Sequence, residues 1–455
     1  MALLNLLSIA RTALGTHQRA IDVAGHNIAN ANNDGYTRQR ANLGAETPQR
    51  TPYGMLGRGV RIEDIQRQRV EFLDSRYRGE SSLLGRNDTL ADQLSQIESI
   101  LGDLGGDNLG ATLDAFWSSW GDLSNDPAGG AARTLVRLNA RQLTQALHTM
   151  DNRIGSALNV AQEQIEDALS TVNALAAEIG ELNKQIGQSE INGRNANDLR
   201  DRRDAAVDQI GTFLPVRTLE APDGNQTVLV GDVLLVERDT VLPLTAQTTP
   251  AGRIVIGTAG GSRTFEPDGG RLSGYLTAVN DRIPDVRNEL DKLVQAIVSE
   301  VNAVHRTGIS PDGATDAEFF DPTSLTAGTI KLSVAVEHSV EAIAAGSTGS
   351  PGDGSVALAM EGLRIASVSS LDGLTMNEKF TQIVTNVGGQ VRDADALARA
   401  QSTLVTNIET QRDSVHGVSV DEEMVSLISH QQAYAAAARM VTVADEMIRE
   451  LLQMV

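Results

Sequence analysis

The residues through which this chain could do chemistry are histidine, aspartate, glutamate and glycine, because it contains no cysteine. That absence removes disulfides, thiolate nucleophiles and Cys-ligated metals. The seven histidines are dispersed, with no H-E-x-x-H and no pair at i, i+4 on a helix, so a zinc site is not expected. His17 falls on a heptad seam and reads as a core or interhelical hydrogen-bonding group, while His26, His305 and His430 read as solvated or packing residues. In SPDGATDAEFFD, the carboxylates Asp312, Asp316, Glu318 and Asp321 could suggest a calcium loop, but the required glycine and terminal glutamate are missing, which leaves a turn.

The run NDLRDRRD places Asp198, Arg200, Asp201, Arg202, Arg203 and Asp204 together. It could be a carboxylate cluster for acid chemistry, yet arginines interleaved at helical spacing fit a salt-bridged, solvated helix face. There is no phosphate-binding G-K-S/T loop and no G-x-S-x-G elbow. The pairs Gly105-Gly106, Gly260-Gly261 and Gly388-Gly389 lack the strand-to-helix context of a nucleotide site and read as turns. No catalytic, cofactor-binding or metal-binding residue is therefore expected, and no cofactor.

The elements that would position any such groups are best defined at the two ends. Val418 to Val455 holds neither Gly nor Pro and predicts one unbroken helix. Ser419 is its N-cap, with Glu422 completing a capping box. Met424, Leu427, Tyr434, Val441, Ile448 and Leu452 fall on a series of positions from Val420 to Val455 that alternates at spacings of four and three, the seam of a coiled coil. Leu3, Leu7, Leu14, Ile21 and Ile28 repeat in the same way at the start, so the two terminal helices are expected to pair. Both seams are diluted by small or polar residues, so neighbouring subunits are expected to complete the packing, and in the free monomer the ends should be largely disordered. The N-terminal helix is slightly basic and the C-terminal one acidic, which predicts Arg11 and Arg19 near acidic residues of a C-terminal helix.

The chain has 455 residues, 41% of them hydrophobic, and a formal charge of -21 from 38 basic and 59 acidic side chains. So acidic a chain is a poor partner for nucleic acid or anionic membrane. No apolar stretch is long enough to span a bilayer, and the opening MALLNLLSIARTAL runs into a heptad without a preceding basic residue, so no cleaved signal peptide is read.

After the first helix, NANNDG ends it and Gly54 to Arg69 reads as a short strand or hairpin. Helices are expected over Leu83 to Leu101, on either side of Asp126-Pro127 between Leu109 and Met150, over Ile154 to Ile186, and over Asn197 to Leu214. Pro215 to Asp268 carries β-branched runs between turn residues and reads as a small β domain, with Phe319 to Gly354, including IKLSVAV, packed on it. Gly362 to Arg412 returns to helix. The expected fold is mainly α with a smaller β domain. The terminal coiled coil comprises 1–60 and 416–455, a helical-bundle middle domain comprises 61–214, 269–310 and 355–415, and an inserted β-rich outer domain comprises 215–268 with 311–354.

GHNIANANNDGYTRQR, GRGVRIEDIQRQRVEFLDSRYR and HGVSVDEEMVSLISHQQAYAAAARMVTVADEMIRELL resemble the terminal signatures of bacterial flagellar axial proteins, the rod, hook and hook-associated family. NDLRDRRDAAVDQIGTFL and the stretch Gly269 to Gly308 extend the likeness to the hook-associated members. The resemblance implies a structural junction subunit connecting hook to filament and required for filament assembly. Its implied partners are further copies of itself, the hook protein, the second hook-filament junction protein and an export chaperone on the C-terminal helix. It also implies an extracellular, flagellar place reached without a cleaved signal peptide. A hook or rod subunit, or a flagellum-associated wall hydrolase, are the alternatives. The terminal seam residues named above are the expected assembly interface.

Overall fold

The computed structural model describes residues 2–51, 54–102, 109–191, 194–261 and 263–453. The chain starts with helix α1 (Ala2–Ala29) and passes through strands β1 (Gln39–Ala45), β2 (Gln49–Thr51), β3 (Gly54–Leu56) and β4 (Val60–Arg67). Strands β1 and β4 pair antiparallel, with an irregularity at Asn42/Leu43, and β2 and β3 form the hairpin beyond them.

Helices α2 (Glu71–Gly102), α3 (Leu109–Asn125), α4 (Gly130–Glu190) and α5 (Asn197–Phe213) follow. The Asp126-Pro127 break is present, because proline cannot continue the ladder of α3. Two expectations are corrected here. The helix expected from Leu83 starts a full three turns earlier, and the run expected from Ile154 is the second half of α4, a single helix of 61 residues that extends about 90 Å at the standard rise.

Seven short strands form two antiparallel sheets. One contains β5 (Val216–Glu220), β6 (Gln226–Val230), β7 (Val233–Glu237) and β8 (Thr240–Val241); the other contains β9 (Leu244–Thr248), β10 (Ile254–Thr258) and β11 (Thr264–Phe265). The alternation of Val228 and Val230 puts them on the face that packs against Val172, Ala176 and Ile179 of α4. The return path is α6 (Gly270–Thr277), a π-helical turn over Ala278–Arg282, and α7 (Ile283–His305), all continuous. Short helices α8 (Val334–His338) and α9 (Ser355–Gly362) precede the long α10 (Met376–His416) and α11 (Val420–Gln453). The helical return expected from Gly362 thus begins later. Thr375 closes a full capping box with Glu378 and fixes the first turn of α10.

There are two cores. One joins α3, α7, α10 and the first half of α4 around Phe116, Trp117, Trp120, Phe319 and Phe320. The other joins the sheets to α5, α6 and the second half of α4. The stretch 311–354, expected to pack on the β domain, belongs to the helical core instead: Phe319, Phe320, Ile330, Leu332, Val336 and Ile343 are all buried there. The cause is polar as well as apolar. Buried Asn302 on α7 accepts the Phe319 and Phe320 N–H groups at 2.9 Å and donates to the Phe320 carbonyl at 2.9 Å, so the loop backbone is satisfied by a helix rather than a strand. IKLSVAV holds one bridge, Leu332 to Phe320, and then turns helical, because the Ser333 hydroxyl accepts from Val336 N–H and caps α8.

The pair Gly388-Gly389, read as a turn, lies inside α10, where Gly388 faces Glu98 of α2. Gly260-Gly261 is the turn expected, with Gly260 at φ +72°, whereas Gly105-Gly106 lies outside the described residues.

Candidate assembly interface

Helices α1 and α11 pair antiparallel. Near one end the buried Asn27 amide donates to Glu423 at 3.0 Å; further along, the Nδ1 atoms of His17 and His430 meet at 3.3 Å. His17 is therefore an interhelical hydrogen-bonding group, and burial followed by the facing His430 ring holds it below the ordinary imidazole range. Glu423 is buried yet paired, because Arg38 from the start of the hairpin reaches both Glu423 and Glu422 at 2.7 Å. That contact leaves the expected capping box half formed: Ser419 Oγ accepts the Glu422 N–H at 3.5 Å, while the Glu422 carboxylate turns to Arg38.

The expected seam residues do not supply the deepest contacts. Leu3, Leu7, Leu14, Ile21, Ile28, Leu427, Val441 and Ile448 are half-buried, and Met424, Tyr434 and Leu452 are exposed, Leu452 by 72%. The buried positions among the described residues are Ala10, Thr16, Ala20, Ala24 and Asn27 on α1, and Glu423, Ala437 and Ala444 on α11. Short side chains let the two backbones approach, which pushes the leucines and isoleucines to the flanks. Val455 lies outside the described residues. Arg11 and Arg19 are exposed and form no ion pair within the chain among the described residues; the charge link between the chain's two ends is Arg38 with Glu422 and Glu423.

A second polar cluster ties the terminal pair to the helical body, and here the sequence reading needs correction. NDLRDRRD is not a solvated face. Its Asp201, Arg203 and Asp204 are buried. Arg67, at the end of β4, reaches Asp201 and Asp204 at 2.8 Å each. Arg69 bridges Asp204, at 2.7 Å, and Asp74 on α2. Arg412 near the end of α10 joins Asp74 at 2.9 Å to Asp208 at 2.8 Å, with its guanidinium 4.3 Å above the Tyr77 ring. Burial alone would raise the Asp204 carboxyl, but Arg69, Arg67 and Arg203 outweigh it and hold it below the usual carboxylate range.

His416, the last residue of α10, accepts the Val70 N–H on Nε2 at 3.0 Å and passes its own carbonyl to the Arg38 N–H at 2.9 Å. Burial keeps this imidazole below its ordinary range, and Arg69 and Arg412 reinforce burial against the pull of Asp74. Both strands of chain that enter the terminal pair, 67–71 and 416–419, are thus gripped by one cluster centred on α5. Arg203, fully buried, holds α5 to α4 by donating to Asn183 at 3.0 Å and to the β5–β6 turn by donating to the Gly224 carbonyl at 2.6 Å.

The remaining candidate groups are each engaged separately. His305 is fully buried; its Nδ1–H donates to the Ala317 carbonyl at 2.7 Å and its Nε2 accepts the Ala344 N–H at 3.0 Å, which defines a neutral tautomer. Asp312 caps the 310–314 turn, Glu318 pairs with Arg306, and Asp321 with Lys331. Among the described residues no three metal-ligating side chains converge, and no helix is long and apolar enough to cross a membrane.

Comparison with known proteins agrees along the chain. The family described as "Flagellar hook-associated protein FlgK helical domain" matches residues 94–320. "Flagella basal body rod protein" matches 7–37, and "Flagellar basal body rod FlgEFG protein C-terminal" matches 408–454. The flagellar hook-associated protein 1 of Bacillus subtilis strain 168 is 30% identical over 98% of this chain and 97% of its own length. The chain belongs to the flagellar hook-associated protein 1 family. The Salmonella typhimurium strain LT2 member is 23% identical over 98% of this chain and 99% of its own. That alignment runs over 549 positions against 455 residues here, so this family member lacks segments the Salmonella protein carries. The solved flagellar hook junction protein FlgK of Burkholderia pseudomallei shares the fold, with a TM-score of 0.66 and 15% identity over 75% of this chain and all of that one.

Proposed function

We propose that the chain is a structural junction subunit of the bacterial flagellum, connecting hook to filament and required for filament growth. The observation that carries this reading is the antiparallel α1/α11 pair with alanines inside and large apolar side chains, among them Met424 and Leu452, left on its outer flanks. Such a pair has few large side chains inside and gains its remaining apolar burial from neighbours. The half-buried and exposed seam residues, Leu3 to Ile28 and Met424 to Leu452, are then the surfaces that neighbouring subunits cover, with the pair forming an inner tube and the two cores the surrounding wall. Family membership supports the same role.

The partners proposed on this reading are further copies of the chain, the hook protein below and the second junction protein above, with an export chaperone holding α11 before assembly. The protein acts outside the cell and catalyses no reaction. Electron microscopy of flagella from a strain lacking the gene tests the role: intact hooks without filaments are expected, whereas missing hooks would indicate a rod or hook subunit, and normal filaments would overturn the reading.

A further inference from the structure

Helix α11 presents two unlike surfaces at the same height. On one flank Glu423, Ser426 and His430 line a groove of about 650 Å³ whose other walls are α1 and β1; polar side chains including Gln39, Asn42 and Gln68 share it with Ala20, Ala24 and Leu43, and Arg40 stands on its rim. That volume suits side chains, since one water takes about 30 Å³ in the liquid. On the other flank Val420, Met424 and Ile428, four residues apart, form an apolar stripe, exposed by 46%, 44% and 47%. At about 100° per residue the stripe lies roughly 130° around the helix from the groove side. Arg40 and Asp421 are both exposed, and neither has an ion-pair partner within the chain among the described residues.

We propose that the Val420, Met424 and Ile428 stripe of one copy seats in the Arg40 groove of a second copy of this chain, with Asp421 meeting Arg40 across the contact. This deepens the junction reading and rests on it. The two surfaces are different patches on opposite flanks, so the contact is heterologous and propagates from copy to copy around an axis instead of stopping at a dimer. Because stripe and groove share the turns between 420 and 430, the copies stand side by side. Arg38, the neighbouring cation, is already committed to Glu422 and Glu423, which leaves Arg40 as the rim charge available to an incoming carboxylate.

The absence of cysteine makes the test direct. Full-length R40C and D421C chains are co-expressed in the deletion strain and the isolated flagella are oxidised. A covalent dimer holding one chain of each kind is expected. Adding Met424→Ala and Ile428→Ala to the D421C chain should lower its yield about tenfold or more, since tenfold corresponds to only about 1.4 kcal/mol and losing the burial of two large apolar side chains costs more. As a second measurement, Arg40→Asp and Asp421→Arg should each reduce filament number, and the two together should restore it. Failure to form the mixed dimer in flagella that carry filaments, or cross-linking of R40C to a different protein, would overturn this contact while leaving the junction role standing. Normal filaments in the deletion strain itself would overturn the role.

Discussion

Arg412 and Asp74 lie 2.9 Å apart where α10 and α2 reach the terminal helix pair. Asp74 is almost wholly buried and also holds Arg69, so the two arginines share this carboxylate, each with a second partner in Asp208 or Asp204. Asp74→Ala should destabilise the chain by roughly 1.5–3 kcal/mol, the usual cost of losing hydrogen bonds to charged groups, because Asp204 and Asp208 keep both arginines paired. Replacing Asp74 and Arg412 together by apolar residues should cost less than the sum of the single changes. Urea unfolding of the purified variants measures both; additive effects would show that the pair is not coupled.

Acid should weaken the fold in two stages. His17, His305 and His416 are all held below the ordinary imidazole value of 6.5, chiefly by burial. The unfolded chain therefore takes up protons first as pH falls through that value, and stability drops, by up to about 1.4 kcal/mol per pH unit for the fully buried His305 and by less for His17 and His416, which are less deeply buried. Asp204 is depressed below its ordinary value of 3.8, so its contribution is fully present above that value and is lost only at lower pH. His305→Gln should flatten the first stage, read as urea midpoints between about pH 7 and pH 5.

Two helical glycines should respond with opposite sign. A methyl group at Gly388 would meet only the end of the Glu98 side chain, which can move, so Gly388→Ala should stabilise α10 by up to about 1 kcal/mol. At Gly274 it would meet the Arg86 carbonyl at 2.7 Å and Thr89 Cβ at 2.8 Å. Gly274→Ala should therefore cost about 1–3 kcal/mol. Thermal unfolding of the two variants distinguishes them.

The terminal pair gives a contrast between inside and outside. Ala444 is fully buried against α1, so Ala444→Leu should force the helices apart and cost about 1–3 kcal/mol. Leu452 is exposed in the single chain, so Leu452→Ala should leave its stability within about 0.5 kcal/mol yet reduce the number of filaments per cell. An unchanged filament number for Leu452→Ala would mean that Leu452 is not an assembly residue.

Much of the helical framework was legible in the sequence because its signals are periodic: the terminal heptads, the proline after Asp126, and the β-branched runs between 216 and 258. The seam was legible in period, and on α11 its phase was off by one residue. Leucines and isoleucines mark a repeat strongly, whereas Ala437 and Ala444, which set the contact, carry no distinctive signal. NDLRDRRD misled for a related reason, since Asp and Arg at helical spacing look alike whether water or another element faces them. The hint was outside the run, in Arg67 and Arg69, two arginines that needed carboxylates. For 311–354 the decisive groups were Asn302 and His305, side chains distant in sequence whose polar atoms fix the loop.

The long helix α4 passes from the aromatic core to the sheet core without a break, and beside it the helical path 270–305 makes the same crossing, its π-helical turn at Ala278–Arg282 falling at the boundary. Two continuous struts side by side leave no loop about which one core could pivot on the other. A twisting load applied to either core is passed on through axial hydrogen bonds and side-chain packing, so the body behaves as a stiff beam. Compliance is left to the crossings at 67–71 and 416–419, where it is governed by the Arg69, Asp74 and Arg412 cluster. This geometry makes the body of the subunit stiff along its length and its root the place where orientation is set.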